Sequence, residues 1–288
     1  MVYVISGATG RTGATSAQML LDWGESVRVL VRNDAAAASW AARGAETAMA
    51  DFTDAESMKT ALTGAAGVYL MTPPLATSTD LLADRIPIET NMIEALLCYD
   101  VPKIVLLSAF AAHLDSGTGQ IVGLRRMEQR FADSGLPFTA LRAAFFAENW
   151  APAFAAAADT GVLNSFVHPV DMTIEQVSTQ DVGAAAVQAL TDDVGGIRFV
   201  SVAGPAPVSA QDVALAMTQH LGKNIHATEL DSSKWHGIWQ NIGWSEDRCR
   251  LYAAFFHSIN DGTARFDPSD TLWRGVDGID NVVSRLLG

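Results

Sequence analysis

The stretch Gly7-Ala8-Thr9-Gly10-Arg11-Thr12-Gly13 lies between a short apolar run and a run with helical spacing. Residues Val2 to Ile5 are β-branched or aromatic and too few for a helix, so they predict a strand buried on both faces. From Ala14 to Trp23 the apolar residues recur at helical spacing. The order strand, glycine loop, helix predicts a dinucleotide site, because glycines let the backbone approach a diphosphate and the helix N-terminus supplies free N–H groups.

Arg32 follows the second predicted strand, which runs from Ser26 to Val31. NAD-specific sites usually place an acidic side chain at the end of this strand, where it binds the ribose 2′-hydroxyl. A guanidinium there attracts a 2′-phosphate instead, through charge-assisted hydrogen bonds worth roughly 1.5–3 kcal/mol. The sequence therefore predicts NADPH rather than NADH, with Arg11 as a second contact. The alternative is that Arg32 is a solvated charge at a strand end.

Composition excludes several classes of function. The 288 residues are 49% apolar and carry a formal charge of −13 at pH 7. Nucleic acid and anionic membranes repel a chain this acidic, so neither is expected as a partner. The only cysteines, Cys98 and Cys249, lie far apart and fit a reducing compartment, and neither cysteines nor histidines show metal-ligand spacing. We predict a cytoplasmic protein with no membrane segment and no metal.

Strand-like and helix-like segments alternate along the first half of the chain. Six β units with short connections predict an α/β protein with a Rossmann-type, doubly wound parallel sheet. We assign residues 1–150 to an NADP-binding domain and expect residues 177–203 to return to it. Residues 151–176 and 204–288 are assigned to a smaller C-terminal α+β lobe that binds the substrate.

Two predicted helices bear on the arrangement of these parts. Apolar residues recur at helical spacing over 86–99, which predicts a long amphipathic helix. Ser209, with Asp212 three residues later, predicts the start of a helix in the lobe.

Six short motifs, taken together, carry a resemblance to a known family. They are Gly-Ala-Thr-Gly-Arg-Thr-Gly at 7–13, Val-Arg-Asn at 31–33, Asp-Phe at 51–52, Leu-Met-Thr-Pro-Pro at 70–74, Leu-Leu-Ser-Ala at 106–109 and Leu-Arg-x-x-x-Phe-x-Glu-Asn at 141–149. The chain resembles the NmrA-like group of atypical short-chain dehydrogenases along nearly its whole length. This resemblance implies NADPH binding. Family members include quinone, triphenylmethane, phenylcoumaran and ergot-alkaloid iminium reductases, and also dinucleotide-sensing regulators with little or no turnover.

The resemblance also implies which residues contact the cofactor. By position in the motifs these are Gly7, Thr9, Gly10, Arg11, Thr12 and Gly13 at the phosphates, Arg32 at the 2′-phosphate, Asp51 and Phe52 at the adenine, Met71, Thr72 and Pro73 along the ribose, and Phe145 near the nicotinamide. Asp51 is equally suited to capping the helix that follows it.

The catalytic pair of the wider superfamily is absent. That pair is a Tyr and a Lys four residues apart on one helix, and Tyr99 and Lys103 have the spacing. Pro102 lies between them and disfavours a shared helical face, so we reject this match. Many NmrA-like reductases keep a Lys on the helix after strand five. Gln129 occupies that place here and is expected to hydrogen-bond a ribose hydroxyl.

Ser108 and His113 follow the fifth predicted strand and are the candidate catalytic residues, as proton donors or relays. Each residue also has a structural alternative. The Ser108 hydroxyl could cap backbone groups at the strand end, and His113 could have no role in catalysis. Two other possibilities stay open. Hydride goes to an already activated acceptor that needs no acid from the protein, or nothing is turned over.

Aromatic residues of the second half predict an apolar substrate pocket, formed by Phe146, Trp150, Trp235 and Trp239. The tryptophans are as well suited to the core of the lobe. We predict an NADPH-dependent oxidoreductase, a monomer or homodimer, that transfers hydride to a small aromatic or conjugated acceptor of the quinone, iminium or enone type. The alternative is a regulator that senses NADP(H) without catalysis.

Overall fold

The first strand, loop and helix follow the sequence motif. In the computed structural model, which describes residues 2–288, β1 (Val2–Ile5) leads through the glycine loop into α1 (Arg11–Asp22). Val4 and Ile5 are fully buried, as expected for a strand covered on both faces. The chain returns as β2 (Val27–Val31), which pairs in parallel with β1.

The remaining elements continue the alternation of helix and strand. In the first half they are α2 (Asp34–Ala41), β3 (Glu46–Met49), α3 (Ala55–Leu62), β4 (Ala65–Leu70), α4 (Leu81–Leu97), β5 (Ile104–Ala109), α5 (Ile121–Asp133) and β6 (Thr139–Ala143). In the second half they are β7 (Phe145–Phe146), α6 (Ala151–Thr160), β8 (Val162–Ser165), β9 (Gln176–Val177), α7 (Thr179–Thr191), β10 (Arg198–Ala203), α8 (Ala210–Leu221), β11 (His226–Glu229), α9 (Trp235–Asn241), α10 (Glu246–Asn260), β12 (Thr271–Arg274) and α11 (Ile279–Leu287). Within residues 2–288, none of the helices is both long enough and apolar enough to span a bilayer.

Eight strands form one parallel sheet in the order β12-β10-β6-β5-β4-β1-β2-β3. Helices α1 and α7 cover one face, where Leu20 and Val182 are buried in one apolar cluster. Helices α4 and α5 cover the other, with Met92 and Phe131 in a second cluster. The prediction of an α/β protein with a doubly wound parallel sheet is confirmed. The strand order reverses between β1 and β4, and ligands of such sheets bind beyond the carboxyl ends of the strands at this point.

Helix α4 begins at Leu81, five residues before the predicted start. The Asp80 carboxylate accepts a hydrogen bond from a backbone N–H of its first turn at 3.1 Å. A second carboxylate, that of Asp247, accepts the N–H of Leu81 at 2.9 Å. Both satisfy N–H groups that lack partners within the helix. Asp247 is 166 residues away in the chain, so its contribution has no local signal.

The second half builds a further apolar core around α8, α9 and α10. Its helix α8 begins with the predicted capping box of Ser209 and Asp212, which is confirmed. Strand β10 lies in the main sheet beside β6, within the segment that we expect to return there. Residues 271–274, assigned to the lobe, instead form β12 at the edge of the main sheet next to β10. This placement corrects that part of the lobe assignment, and the division into two domains stays a prediction.

Candidate functional site

The glycine loop makes a tight turn in front of α1. Gly7 has a φ of +66°, and Gly10 donates its backbone N–H to the Gly7 carbonyl at 2.8 Å. At Gly13 a Cβ atom would lie 2.5 Å from the carbonyl oxygens of Ser6 and Gly7, so only glycine fits there. No side chain caps the N-terminus of α1. The backbone N–H groups left without partners make an anion site of the kind that holds a diphosphate.

The side chains of the loop differ in what they offer. Thr9 and Arg11 are exposed. Thr12 is buried, and its hydroxyl accepts a hydrogen bond from the Tyr69 hydroxyl at 3.1 Å. A contact between Thr12 and a phosphate therefore has to use the backbone N–H, whereas the Arg11 guanidinium faces solvent.

Arg32 and Asp51 follow β2 and β3, on the same side of the sheet as the glycine loop. Arg32 is exposed. Two hydrogen bonds from Thr53, each 2.8 Å long, lower the pKa of the Asp51 carboxyl, and the nearby charge of Arg32 lowers it further. The alternative role of Asp51 as a helix cap is wrong, because Asp54 caps α3. Phe52 is half-buried beside them, and the adenine contacts stay a prediction.

A cavity of about 200 Å³, the inner cavity, opens at the carboxyl ends of β4, β5 and β6. Its wall includes five of the predicted site residues, namely Met71, Thr72, Ser108, Phe145 and Phe146. Most of its remaining wall is apolar, with Phe110 and Phe255 among the larger side chains. Pro73 follows Thr72 in the chain, is half-buried and is not part of the wall.

A cavity of about 400 Å³, the outer cavity, lies beside the inner one. Among the predicted residues, Arg11, Phe145, Trp150 and Trp239 line it. The two cavities share Phe145, Asn149 and Tyr252. The structure therefore joins the glycine loop to an aromatic pocket, although the two are far apart in sequence.

Ser108 lies on the wall of the inner cavity, but its hydroxyl is already engaged. It is buried and donates to Glu128 Oε1 at 2.6 Å. Arg142 binds the same carboxylate through Nη2 at 2.7 Å and through Nε at 3.1 Å. Because the Ser108 proton points at a buried, ion-paired carboxylate, this geometry supports a structural role and not the predicted proton donation.

Three other predicted residues lie outside both cavities. His113 leaves its Nδ1 buried without a partner, and burial lowers the pKa of this imidazole. Gln129 is exposed, and its amide donates to Asp133 at 2.8 Å on the outer side of α5. Trp235 is fully buried in the core of the lobe, where it donates to the Leu230 carbonyl at 2.9 Å. These positions disfavour the roles predicted for His113 and Trp235 at the cavities, and the ribose contact of Gln129 stays a prediction.

Tyr252 lines both cavities, and sequence reasoning missed it. Its hydroxyl has no hydrogen-bond partner among residues 2–288, and burial raises its pKa to about 12. Helix α10 holds Tyr252 here because Asp247 caps α4 and Arg248 donates to the Pro74 carbonyl at 3.3 Å. These contacts bridge 166 and 174 residues of sequence. A search for a Lys at fixed spacing from a Tyr cannot find such a residue.

Comparison with known proteins agrees with the fold. An NAD(P)H azoreductase from Xenophilus azovorans is 27% identical over 237 residues, which cover 81% of this chain and 79% of the relative. Quinone oxidoreductase 2 from Escherichia coli is 26% identical over 274 residues, 93% of this chain and 91% of the relative. The solved structure of an NADPH-dependent quinone oxidoreductase from Escherichia coli, complexed with NADPH, has a TM-score of 0.84 and 24% identity, with 100% of both chains covered. The NmrA-like family model matches residues 2–245, so the chain belongs to the NmrA-like family, as its motifs predict.

Proposed function

We propose that this protein is an NADPH-dependent reductase of small aromatic acceptors of the quinone or azo type. The observation that carries the proposal is the continuity of the glycine loop with an aromatic cleft at the carboxyl ends of β4 to β6. The names of the azoreductase and of quinone oxidoreductase 2 support the same class of acceptor. Flat conjugated rings suit walls made of Phe145, Phe146 and Trp239, because aromatic pairs stack or meet edge to face.

The residues present fit NADPH. Gly7 and Gly13 leave the loop without a side chain at its two tightest positions, and the uncapped N-terminus of α1 leaves N–H donors for a diphosphate. Arg32 is the residue that would bind the 2′-phosphate, while Met71 and Thr72 lie where the chain leaves β4 toward the inner cavity. When bound, the cofactor supplies a hydride, which carries two electrons to the acceptor.

Tyr252 is the residue that we assign to the acceptor oxygen. A quinone oxygen gains negative charge during its reduction, and a neutral phenol beside it stabilises that charge by donating a hydrogen bond. The raised pKa of Tyr252 keeps the phenol protonated at neutral pH. Solvent supplies the proton that completes the hydroquinone, so no strong acid is needed from the protein.

Replacing Tyr252 by phenylalanine is expected to lower kcat by about 100-fold, the usual effect of removing one donor from a developing oxyanion. The dissociation constant of NADPH should not change. Because the pKa of Tyr252 is about 12, kcat of the unmodified protein should show no loss from its ionisation up to about pH 10. Tyr99→Phe is the matched control, since the Tyr99 hydroxyl contacts Thr63 at 3.1 Å. Equal kcat values for Tyr252→Phe and Tyr99→Phe would refute the assignment.

Replacing Arg32 by glutamate is expected to weaken NADPH binding about tenfold or more, because the variant loses a charge-assisted bond and gains repulsion from the 2′-phosphate. NADH lacks this phosphate, so its binding should be spared. Calorimetric titration of both nucleotides provides the comparison within one variant. Equal losses for the two nucleotides would remove the 2′-phosphate assignment.

The proposed activity is tested by stopped-flow measurement of NADPH oxidation against quinones, azo dyes, iminium dyes and enones. We expect turnover of at least one quinone or azo compound. Tight NADPH binding without oxidation by any acceptor would contradict the proposal and favour a regulator that senses NADP(H).

The oligomeric state and the cellular compartment stay predictions. We expect a monomer or homodimer in solution, which light scattering measures. A cytoplasmic location agrees with two free cysteines, of which Cys98 is exposed.

A further inference from the structure

Arg85 is a buried cation on the wall of the inner cavity. It lies in the second turn of α4, and only 7% of its surface is exposed. Its Nη1 makes one long hydrogen bond, 3.4 Å, to the carbonyl of Gln120, and its Nε is buried without a partner. A guanidinium carries five N–H donors in a planar fork, so most of the donors of Arg85 are unused.

The carboxylate that faces Arg85 along the helix is already bound by other residues. Glu89, one turn further on α4, is fully buried. Arg126 donates to its two oxygens at 2.8 and 3.2 Å, and Arg130 donates at 2.8 Å. Glu89 forms ion pairs with these two arginines and none with Arg85. Two guanidiniums therefore already bind this carboxylate, and Arg85 beside them has no ion-pair partner.

The wall of the inner cavity supplies no counter-ion either. Among the described residues that line it, Arg85 is the only charged one, and the polar ones include Thr72, Gln120 and Tyr252. This contrasts with the chain as a whole, which has a formal charge of −13. A buried charge without a partner is costly, so its retention beside a ligand cavity points to a partner that arrives with the ligand.

The surroundings of Arg85 also keep its charge poorly solvated. The pKa of Arg85 is lowered to about 10, chiefly by desolvation and also by the charges of Arg126 and Arg248, against the opposing effect of Glu89. The guanidinium is still protonated at neutral pH. In such an apolar cavity an ionic hydrogen bond is stronger than at the surface, because water screens it less.

We propose that the acceptor reduced by this protein carries an oxyanion group, a carboxylate or a sulfonate, that binds to Arg85 while the conjugated ring lies against Phe145. This inference rests on the proposed function and narrows its substrate class to anionic aromatic compounds. The diphosphate of the cofactor has its own site at the glycine loop, before α1. Arg85 comes from α4, on the side of the inner cavity lined by Gln120 and Ile121 of the segment that opens α5.

The test uses matched acceptors with and without the anion: naphthoquinone against its sulfonate, and dimethylaminoazobenzene against its carboxylate, methyl red. In Arg85→Met, the KM for the anionic member of each pair should rise about 10- to 100-fold, the factor expected for a charge-assisted bond. The KM for the neutral member should change by less than about threefold, and the dissociation constant of NADPH should not change. Arg250→Met, which removes the same charge from an arginine whose side chain is 64% exposed, is the control for net charge.

An equal rise in KM for the neutral and anionic acceptors would overturn the inference. A loss of NADPH affinity as large as the rise in KM would overturn it too. If Arg85→Met does not fold, Arg85→Lys takes its place, because it keeps the charge but loses the planar fork and should raise the KM of the anionic member alone.

A binding measurement separates this inference from the proposed function. Titration of anthraquinone sulfonate and anthraquinone into the NADP-loaded protein requires no turnover, and a preference for the sulfonate that disappears in Arg85→Met supports the anion site even if no acceptor is reduced.

Discussion

Replacing Gly13 by alanine is expected to lower NADPH affinity by about 100-fold or more and to reduce the free energy of unfolding by about 1–3 kcal/mol, the usual cost of overpacking. The added Cβ would lie 2.5 Å from two carbonyl oxygens of the preceding loop. Backbone atoms cannot rotate away as a side chain does, so the loop has to move away from α1. That movement misplaces the N–H groups that face the diphosphate. Calorimetric titration with NADPH and urea denaturation measure the two effects.

Gly237→Ala is the matched control for the effect on stability. Gly237 lies in α9, has no atom within 4 Å of an added Cβ and requires no positive φ. Alanine should therefore raise the stability of that helix by up to about 1 kcal/mol and leave NADPH binding unchanged. NADPH affinity of Gly13→Ala equal to that of the unmodified protein would contradict the assignment of the loop.

Replacing Glu128 by alanine is expected to lower the free energy of unfolding by about 3–5 kcal/mol, the range found when one member of a buried ion pair is removed. Glu128 and Arg142 are 4% and 5% exposed. Without the carboxylate, the Arg142 guanidinium keeps only the ion pairs with Asp270 at 2.9 Å and with Asp267 at 3.6 Å. The Ser108 hydroxyl loses its acceptor on the wall of the inner cavity. The Arg142–Asp270 pair also ties the main sheet to the residue before β12.

Glu56→Ala is the control, because it removes the same side chain from the Lys59 pair, in which the Glu56 side chain is 81% exposed. Surface pairs contribute roughly 0–1 kcal/mol, so the denaturation midpoint of this variant should be close to that of the unmodified protein. The denaturation midpoint of Glu128→Gln should fall between those of the two variants, because glutamine keeps an acceptor for Ser108 but loses the charge that pairs with Arg142. Denaturation midpoints for Glu128→Ala and Glu56→Ala that coincide would refute the structural role of the network.

Local signals predicted those parts of the molecule that depend on neighbouring residues. The glycine loop, the alternation of strands and helices and the capping box of Ser209 and Asp212 involve contacts within a few residues. Backbone geometry and hydrophobic spacing are therefore sufficient to indicate them. The same is true of the family, because its motifs are short and lie at strand ends.

The roles of residues within the cleft depended on contacts between distant parts of the chain, which local sequence patterns do not predict. Ser108 follows a strand in the expected place, but Glu128 and Arg142 engage its hydroxyl from other elements. Gln129 is on the predicted helix, yet that position faces solvent, whereas the neighbouring Glu128 faces the sheet. A one-residue difference on a helix turns a side chain by about 100°, which residue type alone does not reveal.

The sequence by itself determined the doubly wound sheet, the glycine loop and the family, since each follows from short-range chemistry of the backbone. Only the tertiary structure decided that β12 completes the sheet, that Tyr252 reaches the cleft and that Arg85 has no counter-ion. The physical reason is separation along the chain: Arg142 and Asp270 are 128 residues apart, and Arg248 and Pro74 are 174 apart. Such contacts form only when packing of the apolar faces brings the elements together.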